Sequence, residues 1–282
     1  MRGRIAVVQM QSELYVSDAN RAKTASLIES AADDEARLVV LPELAISGYG
    51  LDEAGLRASA EPVDGPTLAA WADIARRRRI VIAGGFCELH EGRLYNAAML
   101  VGPVGLLAHY RKLHLFDREK LVFTPGDRGL PVADTPAGRI GLCVCYDLRF
   151  VEVVRALALM GADIVAVPTA WVGGFDRNPR DAMGWIGQAR GAAVQANLSQ
   201  VYIACASQAG RSAEHRFLGS SLVCDPYGEA LAGPLDDEAE AIVLADFDIA
   251  IARNAQIRSE LVRPREDRRT DVYAVSAAGR TL

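Results

Sequence analysis

Residues 139–168, RIGLCVCYDLRFVEVVRALALMGADIVAVP, decide how the chain folds. The stretch opens on a run of β-formers over 139–145 and turns within a few residues. It continues at helical spacing over 150–160, with Val151, Val154, Leu157 and Ala158 on one face. A second apolar run, 163–168, follows Gly161. Strand, helix and strand in this order predict a parallel pair joined by a crossover helix, the unit of a layered α/β domain.

The pattern extends in both directions. Upstream, 4–10 and 38–41 read as buried strands around a helix that Asn20 opens and that runs to about Ala36. Pro66 starts a helix reaching Arg78. The segments 80–84, 94–101 and 106–110 are short apolar runs between glycine-containing turns, as in a meander. Downstream, 182–197 reads as helix, and 200–206, 220–224 and 241–247 as strands. There is no repeat, low-complexity tract or Pro/Ser-rich linker. One domain over 1–260 is expected, followed by a tail over 261–282 that could contact a second subunit.

The chain has 282 residues, half of them hydrophobic and 24% charged, with net charge −5. That is enough apolar material for a large core, and it implies no broad basic surface for nucleic acid. No apolar run reaches the length of a membrane span or of a signal peptide core, which points to the cytoplasm. The five cysteines are odd in number and irregularly spaced, so a disulfide framework is not expected. The four histidines are scattered, and no ligand spacing suggests a metal.

Three reactive side chains fall just past strand ends: Glu43 after 38–42, Lys112 after 106–110, and Cys145 at the end of 139–145. In α/β sheets such positions surround the functional crevice. Singly, each has a plain alternative: a solvated Glu, a solvated Lys, a packed Cys. Cys145 stands apart because it lies on a strand-to-helix turn. There, helix N–H groups favour a thiolate, and the Tyr146 N–H becomes an oxyanion donor. Cys143, two residues back, reads as core. A thiol nucleophile needs a base. A carboxylate in a dry pocket, Glu43, fits that role, with Lys112 supplying positive charge and His114 as the alternative base.

The segments LPELAISGY (41–49), YRKLHLFD (110–117) and GLCVCYDLRFVE (141–152) together resemble the signature blocks of the nitrilase, or carbon–nitrogen hydrolase, superfamily. The resemblance spans Arg4 to about Phe247. It implies a four-layer α-β-β-α sandwich, commonly dimerised through helices, here those around 150–160 and 182–197. It makes Glu43 the general base and acid, Lys112 the stabiliser of the oxyanion, and Cys145 the nucleophile. The segment REKLVFTPG (118–126) adds Glu119 as a second glutamate that orients the substrate amide. No metal or organic cofactor is implied. Tyr146-Asp147 after the nucleophile is the form found in amidases and carbamoylases, whereas nitrilases tend to carry Trp and Glu there.

The expected reaction is hydrolysis of a small linear amide to an acid and ammonia through a thioester. The activity expected is ω-amidase-like. The alternatives are an N-carbamoyl amine or amino acid amidohydrolase, a nitrilase, and a non-catalytic ligand-binding relative. Trp171, Phe175 and Tyr49 are expected to line the acyl side. Arg149, Arg177 and Arg180 are candidates for holding a substrate carboxylate.

Overall fold

The computed structural model describes residues 1–175, 180–212, 215–277 and 279–282. The first half of the chain runs β1 (Arg2–Gln9), α1 (Ser17–Asp33), β2 (Ala36–Val40), α2 (Glu53–Ser59), α3 (Pro66–Arg78), β3 (Val81–His90), β4 (Arg93–Gly102) and β5 (Gly105–Arg111). The second half runs β6 (Val132–Thr135), β7 (Gly138–Leu142), α4 (Val151–Leu159), β8 (Ile164–Thr169), α5 (Gly187–Ser199), β9 (Tyr202–Ser207), β10 (Leu222–Cys224), β11 (Ala230–Ala232), β12 (Ala241–Asp248) and α6 (Ile249–Asn254). A small hairpin, β13 (Ser276–Ala277) and β14 (Arg280–Thr281), lies in the tail.

Two mixed six-stranded sheets form, with strand orders β12-β1-β2-β3-β4-β5 and β11-β10-β9-β8-β7-β6. The central strands β1, β2 and β3 are parallel, as are β7, β8 and β9, and antiparallel strands complete both edges. Strands buried on both faces need apolar runs, which is why LVV (38–40) of β2 and IVAVP (164–168) of β8 show no polar alternation.

The sheets pack face to face. Val7, Val40 and Leu100 from the first meet Leu142, Ala166 and Cys205 from the second in one buried cluster. On the outer face of the first sheet, Ile28 of α1 and Trp71 and Ile74 of α3 cover Val8, Val39 and Ile82. On the outer face of the second, α4 and α5 supply Val154, Leu157, Ala192 and Ala196. The result is a layered α/β domain, as the sequence pattern predicts, and the α-β-β-α sandwich that the resemblance implies.

Several boundaries differ from the sequence reading. The strand expected over 139–145 ends at Leu142, because Cys145 leaves extended geometry (φ +46°) and starts a 3-10 turn, Cys145–Arg149. The helix expected from Ala182 begins at Gly187, since Asp181 folds 181–185 into a turn by accepting from the Met183 and Trp185 N–H groups. The first helix occupies Ser17–Asp33, and Ala36 already belongs to β2. The tail packs on its own domain: Arg265 donates to the carbonyls of Ala158, Ser199 and Gln200. Among the described residues, no helix is long and apolar enough to cross a membrane.

Candidate active site

Glu43 stands in the turn after β2. Its main chain is held from three sides: its N–H donates to the Thr169 carbonyl, its carbonyl accepts from Gln208 Nε2, and Gly85 N–H bonds the carbonyl of Pro42. Gly85 has to be glycine, for a Cβ there would lie 2.5 Å from the Leu44 nitrogen and 2.7 Å from the Glu43 Cα. Lys112 follows β5, and its N–H pairs with the Asn96 carbonyl of β4. Its carbonyl accepts from Gly126 N–H, and a Cβ on Gly126 would meet the Arg111 oxygen at 2.0 Å. The glycine ending the F-T-P-G element therefore permits the close approach that sets the lysine's backbone.

The charged centre is fully buried. Lys112 Nζ lies 2.6 Å from Glu43 Oε1 and 2.8 Å from Glu119 Oε1, and both carboxylates are inaccessible. Asn96 Nδ2 donates to the same Glu43 oxygen at 2.7 Å. Glu43 Oε2 is also buried and has no hydrogen-bond partner among the described residues. One carboxylate oxygen is thus fixed by two donors, and the other retains both lone pairs for a proton. Glu119 is bracketed in turn, with Oε1 accepting from the Tyr49 hydroxyl at 2.7 Å and Oε2 from the Phe116 N–H at 3.0 Å.

Burial raises the Glu43 carboxyl above its usual range, and the negative charge of Glu119 adds to this against Lys112 and Asn96. Burial works against the Lys112 ammonium, but Glu119 and Glu43 outweigh it and hold its proton more firmly than usual. Burial and then the charge of Glu43 push the Cys145 thiol well above its ordinary value, while Lys112 and the Ala170 N–H pull it back. Burial thus makes the Glu43 carboxyl and the Cys145 thiol both hold a proton more firmly than usual. A thiol, a buried carboxylate and an ammonium in one centre are the groups that general-base attack on a carbonyl requires.

Cys145 is partly exposed, at the base of a cavity of about 570 Å³. Tyr146, Trp171, Phe175 and Phe116 line its walls, with Arg149 and Gln188 adding polar groups. Phe116 meets Tyr146 and Phe175 edge-on, at 5.1 Å and 4.6 Å between centroids. The Tyr146 N–H lies at the start of the 3-10 turn, where main-chain donors lack intrahelical acceptors.

The geometry departs from expectation at a few residues. Tyr49 does not line the acyl side: it is buried, and its hydroxyl is committed to Glu119. Glu119 stands against Lys112 beneath the cavity and is not among the residues that line it. His114 is held by Asp147, 2.8 Å from Nδ1 to Oδ1, stacks on Phe150, and is not among the residues that line the cavity with Cys145. Cys143 is fully buried, as expected. Arg149 lines the cavity, whereas Arg180 is tied to the Gly184 and Leu218 carbonyls and Asp237; Arg177 and Asp176 lie outside the described residues.

The hydrogen bonds of Asn96 and Asp147 around the candidate site are what sequence reasoning missed. Asp147 served there only to discriminate chemistries. In the fold, its Oδ1 takes the His114 N–H, and its Oδ2 takes the Tyr110 hydroxyl and the Val144 N–H. Asn96 had no signal beyond being a polar residue inside an apolar strand.

The sequence profile of the carbon–nitrogen hydrolase family matches residues 4–256. The chain belongs to that family. This carbon–nitrogen hydrolase is 34% identical to a nitrilase of Pyrococcus abyssi, over 96% of its own length and 98% of the relative's. It is 36% identical to the human omega-amidase NIT2, over 96% and 97%. Its fold matches an amidase from Nesterenkonia sp. AN1 with TM-score 0.75 and 25% identity, covering 96% of this chain and 95% of that one. That structure carries the acetamide moiety of fluoroacetamide added covalently at the active-site cysteine. The family and these relatives make the protein an amidase, hydrolysing C–N bonds with a cysteine nucleophile.

Proposed function

We propose that Cys145 is the nucleophile, Glu43 the general base and acid, and Lys112 the oxyanion stabiliser in hydrolysis of the terminal amide of a small acid, an ω-amidase-like reaction. The observation that carries the catalytic assignment is the division of labour on Glu43, with Oε1 fixed by Lys112 and Asn96 and Oε2 free to take a proton. Glu43 accepts the thiol proton as sulfur bonds to the amide carbon. The carbonyl oxygen becomes an oxyanion, met by Lys112 and the Tyr146 N–H, one such donor being worth about 3–4 kcal/mol. Glu43 returns the proton to nitrogen, the C–N bond breaks and ammonia leaves a thioester. Glu43 then takes a proton from water, whose oxygen attacks the thioester carbon and releases the carboxylic acid and the thiol.

The narrower substrate class is supported by likeness to the human omega-amidase and by Arg149 on the cavity wall, a cation suited to a substrate carboxylate. Ammonia release from monoamides of dicarboxylic acids, simple aliphatic amides and ureido compounds tests it. A kcat/KM at least tenfold higher for the monoamides is expected. A preference for uncharged amides would reject the carboxylate class, and carbon dioxide released with ammonia from ureido compounds would favour a carbamoylase.

We further propose a homodimer packed through α4 and α5. Val151, Val194 and Leu198 are exposed apolar residues on these neighbouring helices, and such side chains favour a partner surface. The five free thiols support a reducing compartment, the cytoplasm.

A further inference from the structure

Glu43 stands beyond β2 of the first sheet and Cys145 beyond β7 of the second, so these two side chains are set on different layers. The packing between the layers is apolar and therefore non-directional. Registering one side chain on the other closely takes directional bonds. Such bonds converge where the carboxyl ends of β1, β2, β8 and β9 meet, on Gln208, which is fully buried just past β9.

Gln208 Nε2 donates to the Glu43 carbonyl at 3.1 Å and to Ser12 Oγ at 3.0 Å, and its Oε1 accepts from the Ser12 N–H at 3.0 Å. Ser12 Oγ in turn donates to the carbonyl of Ala45, two residues past Glu43, at 2.9 Å. The Gln208 main-chain N–H donates to the Thr169 carbonyl at 3.2 Å, and the same oxygen accepts the Glu43 N–H at 3.2 Å. In a trans peptide the N–H points away from the C=O, and here the Ala170 N–H meets the Cys145 sulfur. One peptide unit thus touches the Glu43 main chain through its oxygen and the thiol through its nitrogen. Gln208 holds both that oxygen and the carbonyl of Glu43. The chemistry specifies an amide: the Glu43 carbonyl takes only a donor and the Ser12 N–H only an acceptor, and both are met at the end of one uncharged side chain.

We propose that Gln208 is a positioning residue for the amidase reaction, locking the main chain of Glu43 onto the Thr169–Ala170 peptide that also holds Cys145. The inference rests on Glu43 being the base. Gln208 is not among the residues that line the cavity, so it acts through Glu43 and not on substrate. A misplacement of about 1 Å in a reacting group is enough to cost on the order of 10²-fold in rate.

The test is the rate at which iodoacetamide alkylates Cys145 in the full chain at neutral pH, read by mass spectrometry of the peptide containing it. The other four cysteines are buried, so the reagent reports on this thiol. Sulfur displaces iodide while its proton passes to Glu43, so Glu43→Gln should slow the reaction about tenfold or more. Gln208→Met, of similar size but without the amide, should also slow it about tenfold or more. In Glu43→Gln/Gln208→Met the rate should match Glu43→Gln alone to about twofold, because a residue acting through Glu43 then has nothing left to position. A purely structural role would slow both backgrounds by the same factor, and that result would overturn the proposal. So would a Gln208→Met rate within about twofold of the wild type. If Glu43→Gln itself reacts as fast as the wild type, the assignment of the base fails, and the role of Gln208 falls with it. Should Gln208→Met not fold, Gln208→Glu takes its place under the same criteria, since it keeps the acceptor for Ser12 and loses the donor to Glu43.

Discussion

Asp147 Oδ2 accepts the Tyr110 hydroxyl at 2.7 Å, and this contact ties the strand that Lys112 follows to the turn carrying Cys145. The same oxygen accepts the Val144 N–H, and the other oxygen accepts from His114. Each of these donors lies one or two residues from a proposed catalytic side chain. The carboxylate therefore links the turn carrying Cys145 to the segment carrying Lys112.

Removing one member of this bracket should cost stability and rate together. Tyr110→Phe is expected to lower unfolding free energy by about 1.5–3 kcal/mol, the range for a hydrogen bond to a charged group. Urea denaturation measures the first effect and kcat the second. An unchanged kcat in a destabilised variant would show that the bracket is structural only.

Cys145→Ala should reduce amide hydrolysis by roughly 10⁴-fold or more while leaving the fold intact, as for other nucleophile deletions. Mass spectrometry of the wild type quenched during turnover should find an acyl adduct on the peptide containing Cys145. An adduct on Cys143 or Cys205 in its place would refute the assignment.

The acid limb of kcat/KM should lie above the ordinary glutamate value of about 4.3, because burial raises Glu43 and its ionised form is the base. Asn96 donates to that ionised form. Asn96→Leu should therefore move the limb further up in pH, at unchanged plateau substrate selectivity. A limb that stays in place would remove Asn96 from the machinery.

Tyr49 and Trp171 were expected to act alike, and the structure separates them. Tyr49→Phe removes a donor to Glu119 and should lower kcat without changing the ranking of acyl groups. Trp171→Ala opens the cavity wall and should change that ranking, chiefly through KM. Kinetics on a short amide series checks both.

Acid should destabilise the fold through Glu88. Burial opposes its ionisation, yet the Arg111 guanidinium, bonded at 2.7 and 2.8 Å, and His109 hold its pKa down to about 2. The sign follows from linkage: a depressed folded value contributes stability above the unfolded value of about 4.3, lost as pH falls towards 2. Unfolding midpoints of wild type and Glu88→Gln across pH 5 to 2 should converge at the acid end.

The elements and the strand-end placement of Glu43, Lys112 and Cys145 were legible because each leaves a local trace, whereas the four-layer order and the grouping of the three into one site came from the resemblance. Glu43, Lys112 and Cys145 follow apolar runs, and helical or strand periodicity is written within a few turns. The hydrogen-bond partners that aim them were not. Glu43 and Asn96 are 53 positions apart, and Tyr49 and Glu119 are 70. No spacing rule joins them until the strands are paired. The end of β7 was misplaced for a different reason, since Cys143, Val144 and Cys145 all suit a strand, and only the bracket on Asp147 bends the chain away. The sheet orders were not readable either, because edge strands such as β6 and β11 are short and half-exposed.

Cys145 sits at φ +46°, a left-handed conformation that disfavours any side chain. Durability and catalysis therefore pull in opposite directions at one α-carbon. A lineage selected only to persist would drift towards glycine there, gaining of the order of 1 kcal/mol from backbone relief while falling silent as an enzyme. The proposed role of Cys145 as nucleophile is the reason a reactive side chain would be kept in so uncomfortable a backbone.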